Sequence, residues 1–371
     1  MSDDSLTEVK KFLKTEIREL VIVIMPDFFL DRLISLDYDV KAFSDNLADV
    51  ARRKGGNIDG IAQMELRGGN AINTASALAA LGLNVTPIVC TSKLGLQLIK
   101  FYLKRRRVNL SHIKVLDRLS ITTALELEAE GGRANVMLRD VGALANFGPN
   151  NLEREDFVAI EKADYVCVFN WAGTRKFGTK LAETVFEHTK TRGKGRTYYD
   201  TADPMPNKRK IPDLLKNVLQ SSLVDVLSLN ENEAVCYASQ LNSEIKELRR
   251  KLRFDALAME SARILASRLS ARIDLHTTNF SATFTKQKAT IVNSLQVSAL
   301  RTTGAGDAWN AGNILGDAYK LSDSARLLLA NAVAGYYISN PDGLHPTRRQ
   351  LLKFCEKFKT KITTSQFTFD S

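Results

Sequence analysis

Short apolar runs rich in β-branched residues recur along this chain, and amphipathic stretches separate them. The first, Leu20 to Met25 (LVIVIM), stops at Pro26 and Asp27, as a strand buried on both faces does. Similar runs follow at VTPIVC (85–90), YVCVFN (165–170), TYYDT (197–201), VDVLSLN (224–230) and ARIDLHT (271–277). Between them, apolar residues recur at helical spacing over 70–82, 94–107, 178–192, 232–239 and 255–270. This alternation predicts an α/β fold with a parallel sheet covered on both faces.

Two regions depart from that rhythm. Residues 119–139 alternate apolar and polar positions around Gly131-Gly132, a hairpin signal. Residues 56–67 alternate weakly after an expected helix at 41–54. Strands here would lie outside the main sheet, as a lid or a dimerisation flap. Residues 1–19 read as a polar helical extension, 20–363 as one domain with lid segments at about 32–67 and 117–140, and 364–371 as a tail.

Composition narrows the function classes. Apolar content of 44% and charged content of 25% over 371 residues are those of a globular protein with a large core. The formal charge of +10 suits an anionic ligand, but it is dispersed, and the cluster Lys104–Arg107 reads as the solvated end of a helix. Basic motifs with interleaved aromatics and zinc spacings are missing, so nucleic acid is not an expected partner. Cys90, Cys167, Cys236 and Cys355 stand far apart, a reduced, intracellular pattern, and the four histidines lack ligand spacing. The charged first twenty residues are not a secretory signal, and Leu20–Met25 is too short to cross a bilayer. A cytoplasmic protein with no membrane partner is expected.

In parallel sheets, ligands gather at the carboxyl ends of the strands. Four polar clusters fall there. RTTGAGDAWNAG (301–312) places Gly304 and Gly306 before a small-residue helix, whose first amides and dipole favour an anion. Asp307 sits in the first turn, where it would repel a phosphate but accept a proton from an attacking hydroxyl; an acid that merely stabilises the helix is the plainer reading. RGGNAINTASALAALG (67–82) offers Gly68 and Gly69 for close approach, with Asn70 and Asn73 for hydroxyls, or simply a tightly packed helix start. NENE (230–233) offers Asn230 and Glu233 to a hydrated magnesium ion, or a helix cap with an acid three residues on. Asp31, past the first strand, can accept from two sugar hydroxyls; Asp27, nearer the strand, is a candidate turn residue.

Together these stretches resemble the ribokinase/PfkB family of carbohydrate and nucleoside kinases. GGNAINTASALAALG is similar to its first signature and TTGAGDAWNAG to its second, with GALANFGP (142–149), NENE and NAVAGYYISNPDGLHPT (331–347) in the family's order. The resemblance implies a ribokinase-like three-layer α/β/α fold with a small β lid, and transfer of the γ-phosphoryl group of ATP, with Mg²⁺, to a sugar hydroxyl. It implies Asp307 as base and Gly304, Ala305 and Gly306 as anion hole. Asp31, Gly68, Gly69, Asn70 and Asn73 would hold the acceptor. Asn230 and Glu233 match the element associated with magnesium and phosphate, and Asn331 lies where the nucleotide base is placed. Thr303 and the anion-hole glycines would also meet the nucleotide. A homodimer through the lid is the assembly it suggests.

The chain departs from the pattern at four places, one of them the helix expected at 41–54, which is unusual inside the lid region. Arg301 replaces the acid that commonly opens the second signature, either as an added contact to an anion or as a solvated side chain. LHTTNFSAT (275–283) lacks the usual glycine, leaving Thr277, Thr278 and Asn279 to line the phosphates. TSKLGLQ (91–97) lacks a frequent acid. A nucleoside kinase is the alternative, with Phe28, Phe29 and Trp171 as candidates for a base slot; a non-catalytic sugar-binding protein is a further one. Arg67, Arg133, Arg139 and Arg175 are the cations available to a phosphorylated acceptor.

Overall fold

The protein is described from a computed structural model that covers residues 2–104, 107–129, 132–357 and 364–368. Parts of the Lys104–Arg107 cluster, the Gly131 turn, the side chain of Arg133 and residues 369–371 of the expected tail lie outside the described residues.

Among the described residues, nine strands form the main sheet. Six are parallel, in the spatial order Arg272–His276, Val226–Leu229, Arg196–Asp200, Tyr165–Phe169, Val21–Met25 and Asn84–Pro87. They are the six expected runs. The run at 85–90 is cut short: the strand ends at Pro87, and Cys90–Thr91 pairs instead with Lys114–Val115. Three antiparallel strands, Phe280–Phe284, Lys288–Asn293 and Thr364–Thr368, extend the other edge. Residues 364–368, expected in the tail, therefore form an edge strand, a pairing set by distant residues that local pattern does not encode.

Helices cover both faces. On one, Val23, Val166, Val185, Phe186 and Leu265 belong to a single apolar core; on the other, Ile22, Ile24, Leu78, Leu315 and Leu328 belong to a second. The alternation of Ile22, Val23 and Ile24 between the cores is the period-two geometry of a strand buried on both sides. The N-terminal helix Ser2–Lys14 adds Val9 and Phe12 to the second core. The guanidinium of Arg348 lies 5.1 Å from the Phe12 ring centroid and donates to the Phe12 and Thr15 carbonyls. The extension is docked.

The lid is a separate sheet in the order Ala62–Gly68, Phe29–Asp39, Ser120–Ala129, Gly132–Asp140. Its first strand begins at Phe29. The helix Val40–Arg52 follows, capped by Asp39, which accepts from Ala42 N–H at 2.7 Å, and none of its residues is buried. Register aligns Asp31 with Thr122 and Thr122 with Arg139. Side chains two apart share a face, so one lid face presents Phe29, Asp31, Thr122, Met137 and Arg139 to a common cavity.

Candidate active site

The helix Ala305–Ala318 starts at Gly304, whose φ of +83° is left-handed. A Cβ there would stand 2.8 Å from the Tyr337 hydroxyl, so both backbone and space call for glycine. The first helical bond runs from Ala308 N–H to the Gly304 carbonyl (3.1 Å), and Ala305 N–H goes to the Thr302 carbonyl (3.3 Å). The amides of Gly306 and Asp307 precede the first helical bond and are the ones open to an anion. Of the expected anion hole, Ala305 N–H is thus already engaged.

Asp307 is buried at the head of this helix. Its two carboxylate oxygens accept from Asn70 Nδ2 and Asn73 Nδ2, each at 2.9 Å. Thr74 Oγ1 donates to its carbonyl at 3.2 Å. Burial pushes its carboxyl up to about 8; the Asn73 hydrogen bond pulls it down, and the charges of Asp200 and Asp27 push it further up. Asn70 and Asn73, expected to hold the acceptor, hold this acid. Asn73 is committed at both ends, since its oxygen takes Arg67 Nε at 3.0 Å.

The helix Asn70–Ala80 is itself fixed by Asp27, a residue whose place the sequence did not reveal. Its carboxylate accepts from the amides of Asn70 and Ala71, both at 2.9 Å, and from Asn170 Nδ2 at 2.8 Å. Asp27 is a buried helix cap rather than a mere turn residue. The glycines before this helix have separate steric reasons. A Cβ on Gly69, at φ +92°, would lie 2.9 Å from the Phe28 and Phe29 backbone, and one on Gly68 would run into the Asp31 carboxyl. Asp31 is pushed up to about 6 by burial, against a hydrogen bond from Thr122.

Asp27, Asn170 and Asp200 all stand at the carboxyl ends of parallel strands, the positional signal that could have singled out the last two. Asn170 and Asp200, with Asp307, border a cavity of about 290 Å³ lined also by Asp31, Gly69, Asn70, Asn73, Arg139, Thr303 and Gly304, while Asp27 is buried behind its wall. Asp200 is pushed up by burial, while Ala202 N–H and Asn310 Nδ2 (2.6 Å) hold its charged form.

A second cavity of about 290 Å³ adjoins it, with Asn230, His276 and Gly306 lining both. Thr277, Arg301, Trp309 and Asn331 also line this one. Asn331 accepts from Trp309 Nε1 (2.9 Å) and donates to the Asn293 carbonyl (3.2 Å), so its amide is fixed as a wall. Thr277 spends its hydroxyl within its own turn, donating to the Phe280 carbonyl and accepting from Asn279 and Phe280 N–H. Asn279, expected beside Thr277 and Thr278, is turned outward and donates to Asp255 (2.9 Å), whereas Thr278 lines the cavity. Arg301 donates to the Pro341 carbonyl at 2.7 Å and lies 5.9 Å from the Tyr337 ring centroid, so it ties two loops beside the cavity.

Asn230 and Glu233 form a reciprocal cap. Glu233 accepts from Asn230 N–H (2.9 Å) and Nδ2 (2.8 Å), and Asn230 accepts from Glu233 N–H (3.0 Å). Burial pushes the Glu233 carboxyl well up, with the charge of Asp200 adding to it. Among the described residues no group of three or more acidic, histidine or cysteine side chains could hold a metal ion directly. A carboxylate has lone pairs beyond those used here, so the pair fits a hydrated Mg²⁺ through water and not a dehydrated one.

The sequence matches the model of the pfkB family carbohydrate kinases over residues 34–348, and the chain belongs to that family. Solved structures share its fold. The adenosine kinase from Sinorhizobium meliloti is 18% identical, with 91% of this chain and 98% of that chain covered at a TM-score of 0.66. The Arabidopsis thaliana ribokinase, complexed with ribose and ATP, is 18% identical, with 92% and 99% covered at 0.66. The fructokinase from Xylella fastidiosa with bound ATP is 15% identical, with 92% and 99% covered at 0.67. Comparison with curated protein sequences gives no match. Among the described residues no helix is long and apolar enough to cross a membrane.

Proposed function

We propose that this chain is an ATP-dependent sugar kinase with Asp307 as its general base. The observation that carries the reading is the position of Asp307: a buried carboxyl at the head of a helix, with open amides beside it and a polar cavity before it. An ordinary carboxylate is a feeble base at neutral pH, and a value near 8 brings it into the effective range. The sugar hydroxyl passes its proton to Asp307 as its oxygen bonds to the γ-phosphorus, and the bond from that phosphorus to the bridging oxygen breaks to release ADP. The turn Gly304–Gly306, chiefly through the Gly306 amide, faces the charge on the moving phosphoryl group. Asn230 and Glu233 would hold the waters of a Mg²⁺ bound with the nucleotide, which would supply further charge neutralisation.

The acceptor lies against the row Asp31, Thr122 and Arg139, which offers a carboxylate, a hydroxyl and a guanidinium to its hydroxyls. A nucleoside acceptor needs a flat apolar slot. Phe28 and Trp171 are core residues, and Phe29 lies under the Arg139 guanidinium (5.1 Å), which favours the sugar. Arg67 is spent on Asn73, and Arg175 leans on Asn207 (3.4 Å). ATP as donor goes with a cytoplasmic location. A coupled assay with ATP and Mg²⁺ over sugars, sugar phosphates, inositol and nucleosides tests this. Turnover is expected on a sugar; none on any member overturns the kinase reading, and turnover on nucleosides alone overturns the choice of acceptor.

A further inference from the structure

His276 ends the strand Arg272–His276 where the two cavities meet, and it lines both. Its ring packs on the Trp309 indole, with centroids 5.0 Å apart and planes at 35°. Its Cε1 edge faces Gly306, so that a Cβ on that glycine would sit 3.2 Å from it. Trp309 is held in turn by Asn331. The imidazole is therefore fixed by packing, beside the amide that faces the transferring group.

Its hydrogen bonding is incomplete. Nε2 is enclosed and has no partner among the described residues. Nδ1 has no partner among the described residues either, yet it is not enclosed, because the ring borders both cavities. Burial pushes the imidazole down to about 4, against the charges of Glu231 and Asp274, so the ring is neutral and carries one N–H. An enclosed N–H without an acceptor is rarer in proteins than an enclosed acceptor without a donor. The favoured tautomer leaves a bare lone pair on Nε2 and places the hydrogen on Nδ1, open to the cavities.

We propose that His276 is a donor-contacting residue, whose Nδ1–H donates to an oxygen of the terminal phosphates of the nucleotide beside the Gly306 amide. The inference rests on the reading of the second cavity as the donor site. Its chemistry follows from place: the phosphoryl group must pass from that cavity to the one holding Asp307, and His276 stands at their junction. A neutral donor there attracts phosphate oxygens without displacing a cation bound to them.

Three variants test it, with calorimetric affinities for ATP and for adenosine, both with Mg²⁺. His276→Phe keeps a ring over Trp309 and removes the N–H; His276→Asn puts an amide nitrogen where Nδ1 stands; His276→Gln reaches the Nε2 position instead. The Phe variant is expected to bind ATP about ten- to hundredfold more weakly, the scale of a hydrogen bond to a charged group. Adenosine affinity stays unchanged, Asn restores most of the loss, and Gln does not. Unchanged ATP affinity in the Phe variant, equal weakening of ATP and adenosine, or rescue by Gln and not Asn each overturns the proposal while leaving the kinase reading intact. A wild-type protein that binds no ATP removes the donor-site reading and this inference with it.

Discussion

Asn73 donates its side-chain amide to Asp307 over 2.9 Å while its oxygen takes Nε of Arg67 at 3.0 Å. With an arginine on one end, the amide has one orientation available, and its nitrogen must face the acid. A donor stabilises the charged carboxylate, so Asn73→Ala raises the Asp307 value further. The acidic limb of the kcat/KM profile should move to higher pH by about one unit. A limb that stays in place would show that Asn73 does not tune the base.

Asp307→Asn should lower kcat by about a thousandfold, within the range of general-base catalysis, with ATP and sugar affinities nearly unchanged. The same variant should be more stable than the wild type. Asp307 titrates near 8 when folded and near the ordinary 3.8 when unfolded. From about pH 4 to 8 the folded state thus holds a proton that the unfolded state has lost, and wild-type stability falls with rising pH. The Tm difference in favour of the variant should widen across that window and level off above it.

Gly304→Ala places a side chain at φ +83° against the Tyr337 hydroxyl. The backbone alone costs about 1–2 kcal/mol, and the helix start must shift to relieve the contact. Urea denaturation should show that loss, and turnover should fall more than stability does because the Gly306 amide moves with the turn. A variant that loses stability but keeps full turnover would separate this turn from the chemistry.

Arg326 is buried between Asp274 (3.0 Å) and Asp323 (3.1 Å) and also donates to Asn313. Burial would raise Asp274, but the guanidiniums of Arg272 and Arg326 overcome it and hold its carboxyl well below 3.8. Arg326→Met should cost about 3–5 kcal/mol at neutral pH, as expected when one partner of a buried ion pair is removed. A depressed carboxyl stabilises the fold above its unfolded value and stops doing so as pH falls toward its folded one. The gap between wild type and variant should therefore shrink below about pH 4.

The lid face turned away from the cavity carries Val136 and Leu138, 45% and 56% exposed. A homodimer through this face would cover them. Sedimentation should give a dimer for the wild type and a monomer for Leu138→Lys; a wild-type monomer at high concentration removes the lid interface.

Six parallel strands, the lid hairpin and the helix opening at Gly304 were legible because each rests on near neighbours. The run 20–25 is β-branched and ends in Pro26 and Asp27, which is enough for a buried strand. NENE reads both as a cap and as a magnesium element, and the reciprocal bonds of Asn230 and Glu233 make it a cap. The outward turn of Asn279 is not legible locally, because one side-chain direction in a four-residue turn depends on which backbone groups the Thr277 hydroxyl takes.

The sequence by itself determined the order of strands and helices, and that a glycine turn with an acid would open one late helix, because periodicity and turn chemistry act over a few residues. Only the tertiary structure decided what that acid meets. Asn73 lies 234 positions from Asp307, Asp27 caps a helix 44 positions downstream, and His276 meets Gly306 at the joint of two cavities. Such partnerships depend on where whole elements come to rest against one another, and that is settled by packing across the sheet, which no local stretch of sequence contains.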